Sequence, residues 1–168
     1  MNKPNISENI QEIISDIDNK NFKNVLIKME FLLKNYPDVN LLRWENEIEN
    51  YEKFLNTKLE KFKIYVNIGV IFFKFGKINE SINAFQKSIK NNPDFSLAYN
   101  NLAVSFLELG MFQKASDYFA LAIKLNKNDL SAQRHLINIF NLVSPENHQE
   151  NSLIELNFKI RNLIKNLK

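Results

Sequence analysis

The chain has 168 residues, 45% of them hydrophobic, which suffices for one domain or one short helical array with a buried core. It contains no Cys, which excludes disulfides, thiolate metal sites and a cysteine nucleophile. The net charge is only +3, from 22 Lys and Arg against 19 Asp and Glu, so no nucleic-acid-binding face is expected.

The location of the protein is suggested by the lack of long apolar segments in its sequence. Residues 1–11 lack the apolar segment of a secretory signal. The longest apolar run, residues 68–73, is far shorter than the roughly 18 residues that a membrane span requires. The sequence therefore predicts a cytoplasmic protein with no membrane partner.

Two amphipathic helices are predicted at the start of the chain. Residues 5–18 place several Ile side chains on one helical stripe, and a second stripe runs from Phe22 to Leu33. Pro37 then blocks helix continuation. We interpret residues 5–37 as a degenerate helix pair.

One further helix is predicted within residues 38–57. Apolar side chains recur there at helical spacing, and Trp44, the only Trp, is expected to anchor this helix in the core. The helix could pack as part of the array or fold across its binding face. Residues 57–60 then form a capping box, which predicts that the next helix begins near Lys58.

Residues 58–129 contain two copies of one pattern. Gly76 and Gly110 are 34 residues apart, and so are Phe85 and Phe119. The first copy consists of Tyr65, Ile68, Gly69, Phe72, Gly76, Ser81, Phe85, Ser88 and Pro93. The second consists of Tyr99, Leu102, Ala103, Phe106, Gly110, Ala115, Phe119, Ala122 and Lys127.

This 34-residue period resembles the tetratricopeptide repeat (TPR) family of helix–turn–helix repeats. The residues make physical sense in such repeats. Gly69 and Ala103 are small where the two helices of a repeat touch. Gly76 and Gly110 lie between helices, where a positive φ ends the first helix.

Residues 130–168 are predicted to hold a third, degenerate repeat and a capping helix. Pro145 stops the first helix, and a capping box at residues 152–155 opens the last one. Its wide apolar face, which includes Leu156, indicates capping, and a self-association surface is the alternative. The outward polar face is expected to consist of Asn157, Lys159, Arg161, Asn162 and Lys165.

The predicted fold is an all-α, right-handed TPR-like α-solenoid of about nine helices. It is expected to form a single domain over residues 1–168, with an inserted helix and a C-terminal capping helix. Its segments are 5–37, 38–57, 58–95 (first full repeat), 96–129 (second full repeat) and 130–168.

The resemblance implies a concave peptide-binding groove lined by the first helices of successive repeats. The groove positions of family members correspond here to Lys63, Val66, Asn67, Val70, Lys74, Leu97, Asn100, Asn101, Val104, Glu108, Arg134, His135 and Asn138. Asn67 and Asn101 occupy one equivalent position, where family members that bind extended peptides use Asn to hold the ligand's main chain. An amide suits this role because it offers both a donor and an acceptor. The chain is rich in Asn throughout, so composition alone is a competing explanation.

The resemblance therefore implies a non-catalytic scaffold or adaptor that binds a peptide or helical segment of a protein partner. Basic side chains at Lys63, Lys74 and Arg134, with His135, favour a mildly acidic ligand. The alternatives are a self-associating structural subunit, possible as a homodimer, and an accessory domain of a larger enzyme complex.

Catalysis is not expected from this chain. The three glycines all belong to the repeat pattern, which leaves no phosphate-binding loop. His135 and His148 have no partner at ligand spacing, so no cofactor or metal is predicted. The carboxylate clamp of TPR co-chaperones is not reproduced either, because only Asn101 of its residues is present.

Overall fold

The computed structural model of the chain describes residues 5–19, 21–55, 60–143 and 151–165. Within these ranges the backbone forms nine α-helices and no strands, which confirms the predicted all-α fold. The helices are α1 (Ile6–Asp18), α2 (Phe22–Asn35), α3 (Leu41–Leu55), α4 (Lys61–Lys74), α5 (Ile78–Asn91), α6 (Ser96–Glu108), α7 (Phe112–Leu125), α8 (Leu130–Leu142) and α9 (Asn151–Lys165).

Most predicted helices have the expected limits. The inserted helix is present as α3, and α9 begins one residue before the expected cap, Ser152. The described part of α4 begins at Lys61. Residues 56–59, which hold most of the first capping box and the predicted start at Lys58, lie outside the described residues, as do Lys20, Pro145 and His148.

The chain divides into two compact units, Met1–Asn91 and Asn92–Lys168. In the first unit, α1 packs against α2, α3 and α4, while α4 packs against α5 and α3 also contacts α5. Trp44 of α3 is fully buried, which confirms the prediction that it anchors this helix in the core. The same core buries Phe72 of α4.

In the second unit, α7 packs against both α6 and α8, and α9 packs against α8 and α7. Leu156 and Ile160 of α9 are buried, as a capping helix requires. The expectation that Asn157 faces outward is wrong. This side chain is buried and its Nδ2 donates a hydrogen bond of 3.0 Å to the Phe140 carbonyl, which satisfies the amide inside the unit.

Glycine has a different role at the turns and at the helix contact. Gly76 and Gly110 end α4 and α6 with φ of 72° and 69°, which confirms the predicted positive φ. Gly69 lies inside α4 against Phe85 of α5. A Cβ at this position would lie 2.5 Å from the Phe85 Cε1 atom, so glycine permits the close approach of the two helices.

Candidate peptide-binding surface

In the first unit, α4 presents one narrow exposed stripe. It consists of Lys63, Asn67, Val70 and Lys74, whose spacing of three and four residues brings side chains to one face of a helix. Lys63, Val70 and Lys74 are exposed and Asn67 is half-buried. Because most of the remaining face of α4 is packed into the unit, this α4 stripe is where the helix can meet a ligand.

In the second unit, α6 presents the equivalent stripe 34 residues later. It consists of Leu97, Asn101, Val104 and Glu108. Leu97 is 44% exposed, Glu108 is exposed, and Asn101 and Val104 are half-buried. The α6 stripe therefore repeats the central Asn and Val of the α4 stripe but replaces the lysine at each end.

The two equivalent asparagines differ in their hydrogen bonding. Asn67 Nδ2 donates a bond of 2.9 Å to the Lys63 carbonyl of its own helix. Asn101 makes no side-chain hydrogen bond within the part of the chain that the structure describes. The Asn101 amide can thus offer its oxygen and both of its N–H groups to a ligand.

Two of the predicted groove residues are buried instead. Val66 is only 4% exposed and Asn100 only 7%, so neither presents its side chain to a ligand. They occupy equivalent positions, next to Asn67 and Asn101 in sequence but turned by about 100° around the helix. The apolar character of Val66 was the sequence signal for burial. The Asn100 Oδ1 atom is buried with no hydrogen-bond partner among the described residues.

On α8, Arg134 and Asn138 are exposed but His135 is not directed freely to solvent. The half-buried His135 ring stacks on Phe119 of α7, with ring centroids 5.0 Å apart and planes 10° apart. Burial, and then the positive charge of Arg134, lower the pKa of His135 below its usual 6.5, although Asp129 acts in the opposite direction. The lowered pKa favours the neutral form of the His135 ring, which packs on Phe119.

The charges on these surfaces are more balanced than the sequence suggested. Lys63 Nζ lies 2.5 Å from a carboxylate oxygen of Glu60, a pairing that the three-residue spacing would have revealed. Lys74 is the other cation of the α4 stripe. In the second unit, the predicted groove residues include one acidic side chain, Glu108, beside one basic side chain, Arg134. The preference for a mildly acidic ligand therefore rests on fewer charges than expected.

The inserted helix leaves the α4 stripe open. Within the first unit α3 packs against α1 and α5, and Glu45 of α3 pairs with Lys87 of α5 at 2.7 Å. The exposure of Lys63, Val70 and Lys74 shows that α3 does not cover them.

No group of three or more His, Asp or Glu side chains among the described residues could hold a metal ion. None of the helices in the described ranges is long and apolar enough to cross a membrane.

Comparison with known families agrees with the internal repeats. A tetratricopeptide repeat model matches residues 96–129, and a second TPR repeat model matches residues 69–110. Repeats of this kind generally mediate protein–protein interactions, and no catalytic family is indicated. No curated protein matches the chain.

Proposed function

We propose that this chain, which belongs to the tetratricopeptide repeat proteins, is a non-catalytic scaffold or adaptor that binds a segment of a partner protein along the α6 stripe. The observation that carries the proposal is the Asn101 amide, which has no intramolecular hydrogen bond among the described residues and lies between two accessible apolar side chains. The α4 stripe offers a second surface of the same type in the first unit.

The chemistry of the α6 stripe suits a main chain better than a particular side chain. Asn101 can accept from a peptide N–H and donate to a peptide C=O. Leu97 and Val104, one turn to either side, offer apolar surface to the ligand's side chains. A segment with alternating polar main-chain and apolar side-chain contacts would satisfy both kinds of group. An extended peptide meets this requirement, and a helical segment could use only the apolar part.

Partner capture from native lysate tests this function. Wild-type protein and the double variant Asn67→Ala/Asn101→Ala are used as bait, and bound proteins are identified by mass spectrometry. The matched control is Asn83→Ala/Asn91→Ala, since both of these side chains are exposed on α5 and Asn91 Nδ2 bonds its own helix as Asn67 does. A partner retained by the control and lost by the stripe variant supports the proposal. A partner retained by both variants contradicts it and attributes the repeated Asn to composition.

The accessory-domain alternative makes a different prediction in the same experiment. It requires one catalytic protein to co-purify in a fixed ratio.

The cytoplasmic location, the absence of a nucleic-acid partner and the single-domain organisation remain predictions. Self-association is favoured by a separate observation on α9, the exposure of Phe158.

A further inference from the structure

One face of α8 is open, although the equivalent faces of α4 and α6 are packed. The face consists of four positions that recur every 34 residues. They are Phe62, Tyr65, Gly69 and Phe72 on α4, Ser96, Tyr99, Ala103 and Phe106 on α6, and Leu130, Gln133, Ile137 and Phe140 on α8. None of the eight residues on α4 and α6 is exposed, whereas Leu130 is 69% exposed and Ile137 is 46% exposed. The four α8 residues are called the open α8 face below.

In each full repeat this face packs against the second helix of the same repeat. In the first repeat, Gly69 of α4 lies against the Phe85 ring of α5. In the second, the Phe106 ring of α6 stacks on Tyr118 of α7, with ring centroids 5.4 Å apart. Both second helices are 14 residues long, which is about four turns. The two repeats thus show that these four positions accommodate an α-helix of that length.

The helix that follows α8 does not fill this position. It is held near the C-terminal end of α8, where Asn157 Nδ2 donates its hydrogen bond to the Phe140 carbonyl, and it also packs against α7. Leu130 and Ile137 lie closer to the N-terminal end of α8, two helical turns apart, and both stay exposed. The second unit therefore leaves room for one more helix against α8.

The size of Ile137 restricts which helix can pack there. The same position holds Gly69 in the first repeat and Ala103 in the second, and the second helices supply Phe85 and Phe119 at equivalent positions. Ile137 occupies space that such a ring would need, so a large side chain opposite it would hold the two helices apart. A closely packed helix must therefore carry Gly, Ala or Ser where α5 and α7 carry Phe.

The charge beside the open α8 face restricts the helix further. Arg134 is exposed, lies three residues from Ile137, and forms no ion pair with another residue that the structure describes. The 13 residues of α8 include no Asp or Glu. The nearest carboxylate in sequence, Asp129, accepts a hydrogen bond of 3.0 Å from the Ala132 backbone N–H. An acidic side chain on the adjoining edge of a bound helix would thus complement Arg134.

We propose that the open α8 face binds an amphipathic α-helix of a partner protein, which takes the position of a second helix beside α8. This helix has an apolar stripe with a small residue at its centre and an acidic edge next to Arg134. It gives α8 the contact that α4 and α6 already make within the chain. The proposal is independent of the α6 stripe, which is expected to bind an extended segment through Asn101.

A size exchange at Ile137 tests the site. The probe is a synthetic peptide of the α7 sequence, residues 112–125, which is acetylated, amidated and made acidic by Lys114→Glu. One version carries Phe119→Ala and the other keeps Phe119. By isothermal titration calorimetry, the full-length protein should bind the Phe119→Ala version at least about tenfold more tightly, because a Phe ring would overlap Ile137. An Ile137→Ala protein should reverse this preference, because its small side chain then accepts the ring.

Matched variants separate this face from other surfaces. Leu97→Ala alters an apolar side chain of the α6 stripe that is 44% exposed, and it should leave the preference between the two peptides unchanged. Arg134→Glu should weaken binding of the Phe119→Ala version by about threefold, and added salt should reduce this effect. Lys124→Glu in the protein reverses an exposed charge on α7 and should have no such effect. Circular dichroism of each variant reports whether it is folded.

Three results would overturn the proposal. A wild-type protein that binds neither peptide has no place for a helix on α8. A preference that is the same in wild type and in Ile137→Ala shows that the peptides do not contact Ile137. Binding that is lost in Leu97→Ala and kept in Ile137→Ala assigns the helix to the α6 stripe.

Discussion

The two full repeats, α4–α5 and α6–α7, share a 34-residue register. They differ at the contact between their two helices. In the first, Gly69 allows the Phe85 ring to approach the α4 backbone so closely that a methyl group would not fit. In the second, the equivalent Ala103 is fully buried with its methyl group in place. The repeat pattern thus specifies a small residue, while the position of the facing aromatic ring decides whether only glycine is tolerated.

A second difference lies where α5 and α7 face their partner helices. Ser88 Oγ of α5 donates a hydrogen bond of 2.8 Å to the Phe62 carbonyl. The equivalent residue of α7 is Ala122, which is buried and has no polar group to satisfy. The first repeat therefore combines a tighter contact with an additional polar link, and the second depends on apolar packing.

The α4 stripe and the α6 stripe also differ, in the hydrogen bonding of their central Asn side chains. Both stripes keep Asn and Val at their centre, but only Asn101 has its amide uncommitted, because Asn67 is bonded to the Lys63 carbonyl. The stripe positions thus differ between the repeats in charge and in the availability of the Asn amide. This comparison leads us to expect stronger main-chain binding on α6 than on α4.

Truncation of the buried aromatic side chains should give the largest change in the free energy of unfolding. Phe85→Ala and Phe119→Ala should each lower the free energy of unfolding by about 3–5 kcal/mol in urea titrations. The loss for Phe119 should be greater by about 1 kcal/mol, because this ring also stacks on His135. Equal losses would show that the stack contributes nothing beyond burial.

Substitution at the helix contact should give the next largest effect. Gly69→Ala should lower the free energy of unfolding by about 1–3 kcal/mol, since the added methyl overlaps the Phe85 ring. The reverse change, Ala103→Gly, should cost about 1 kcal/mol through helix propensity and a lost buried methyl. A stabilising Gly69→Ala would mean that the Phe85 ring moves aside without loss.

A change of pH should have a smaller effect on stability, through His135 of α8, whose ring stacks on Phe119 of the second full repeat. The pKa of His135 is lowered in the folded state, so the unfolded chain binds more protons as pH falls below 6.5. The contribution of His135 to stability is therefore present above pH 6.5 and is lost as pH falls through the lowered folded-state pKa.

The variant His135→Phe keeps an aromatic ring against Phe119 but cannot titrate. Thermal or urea unfolding above and below pH 6.5 should show a stability slope for wild type that is reduced in this variant. His148 is present in both proteins, so its titration cancels in the difference. An unchanged slope would assign the pH dependence to other groups.

The repeat register and the helices were predictable because they depend on local patterns. Spacing of apolar side chains predicted α3 and its anchor Trp44, and the paired glycines predicted the positive φ at both turns. Exposure was harder to predict, since it depends on neighbouring helices. Val66 and Asn100 share a position that the family resemblance assigned to the groove, but the structure buries both.

The contacts that polar side chains make also could not be predicted from the spacing of residues in the sequence. Asn157 appeared to belong to an outer polar face, but the Phe140 carbonyl satisfies its amide inside the second unit. The family resemblance placed His135 in the groove, but its ring stacks on Phe119. A side chain can be assigned to a face by periodicity, but its partner depends on the tertiary contact.

The most direct test of the account is the affinity of a captured partner for single stripe variants, measured by isothermal titration calorimetry. Asn101→Ala should weaken binding by about tenfold, as expected for the loss of main-chain hydrogen bonds at one amide. Asn67→Ala should have a smaller effect, because one of its N–H groups is already used within α4. The control Asn83→Ala should bind as wild type does. An Asn101→Ala protein that binds as tightly as this control would contradict the assignment of the α6 stripe as the binding surface.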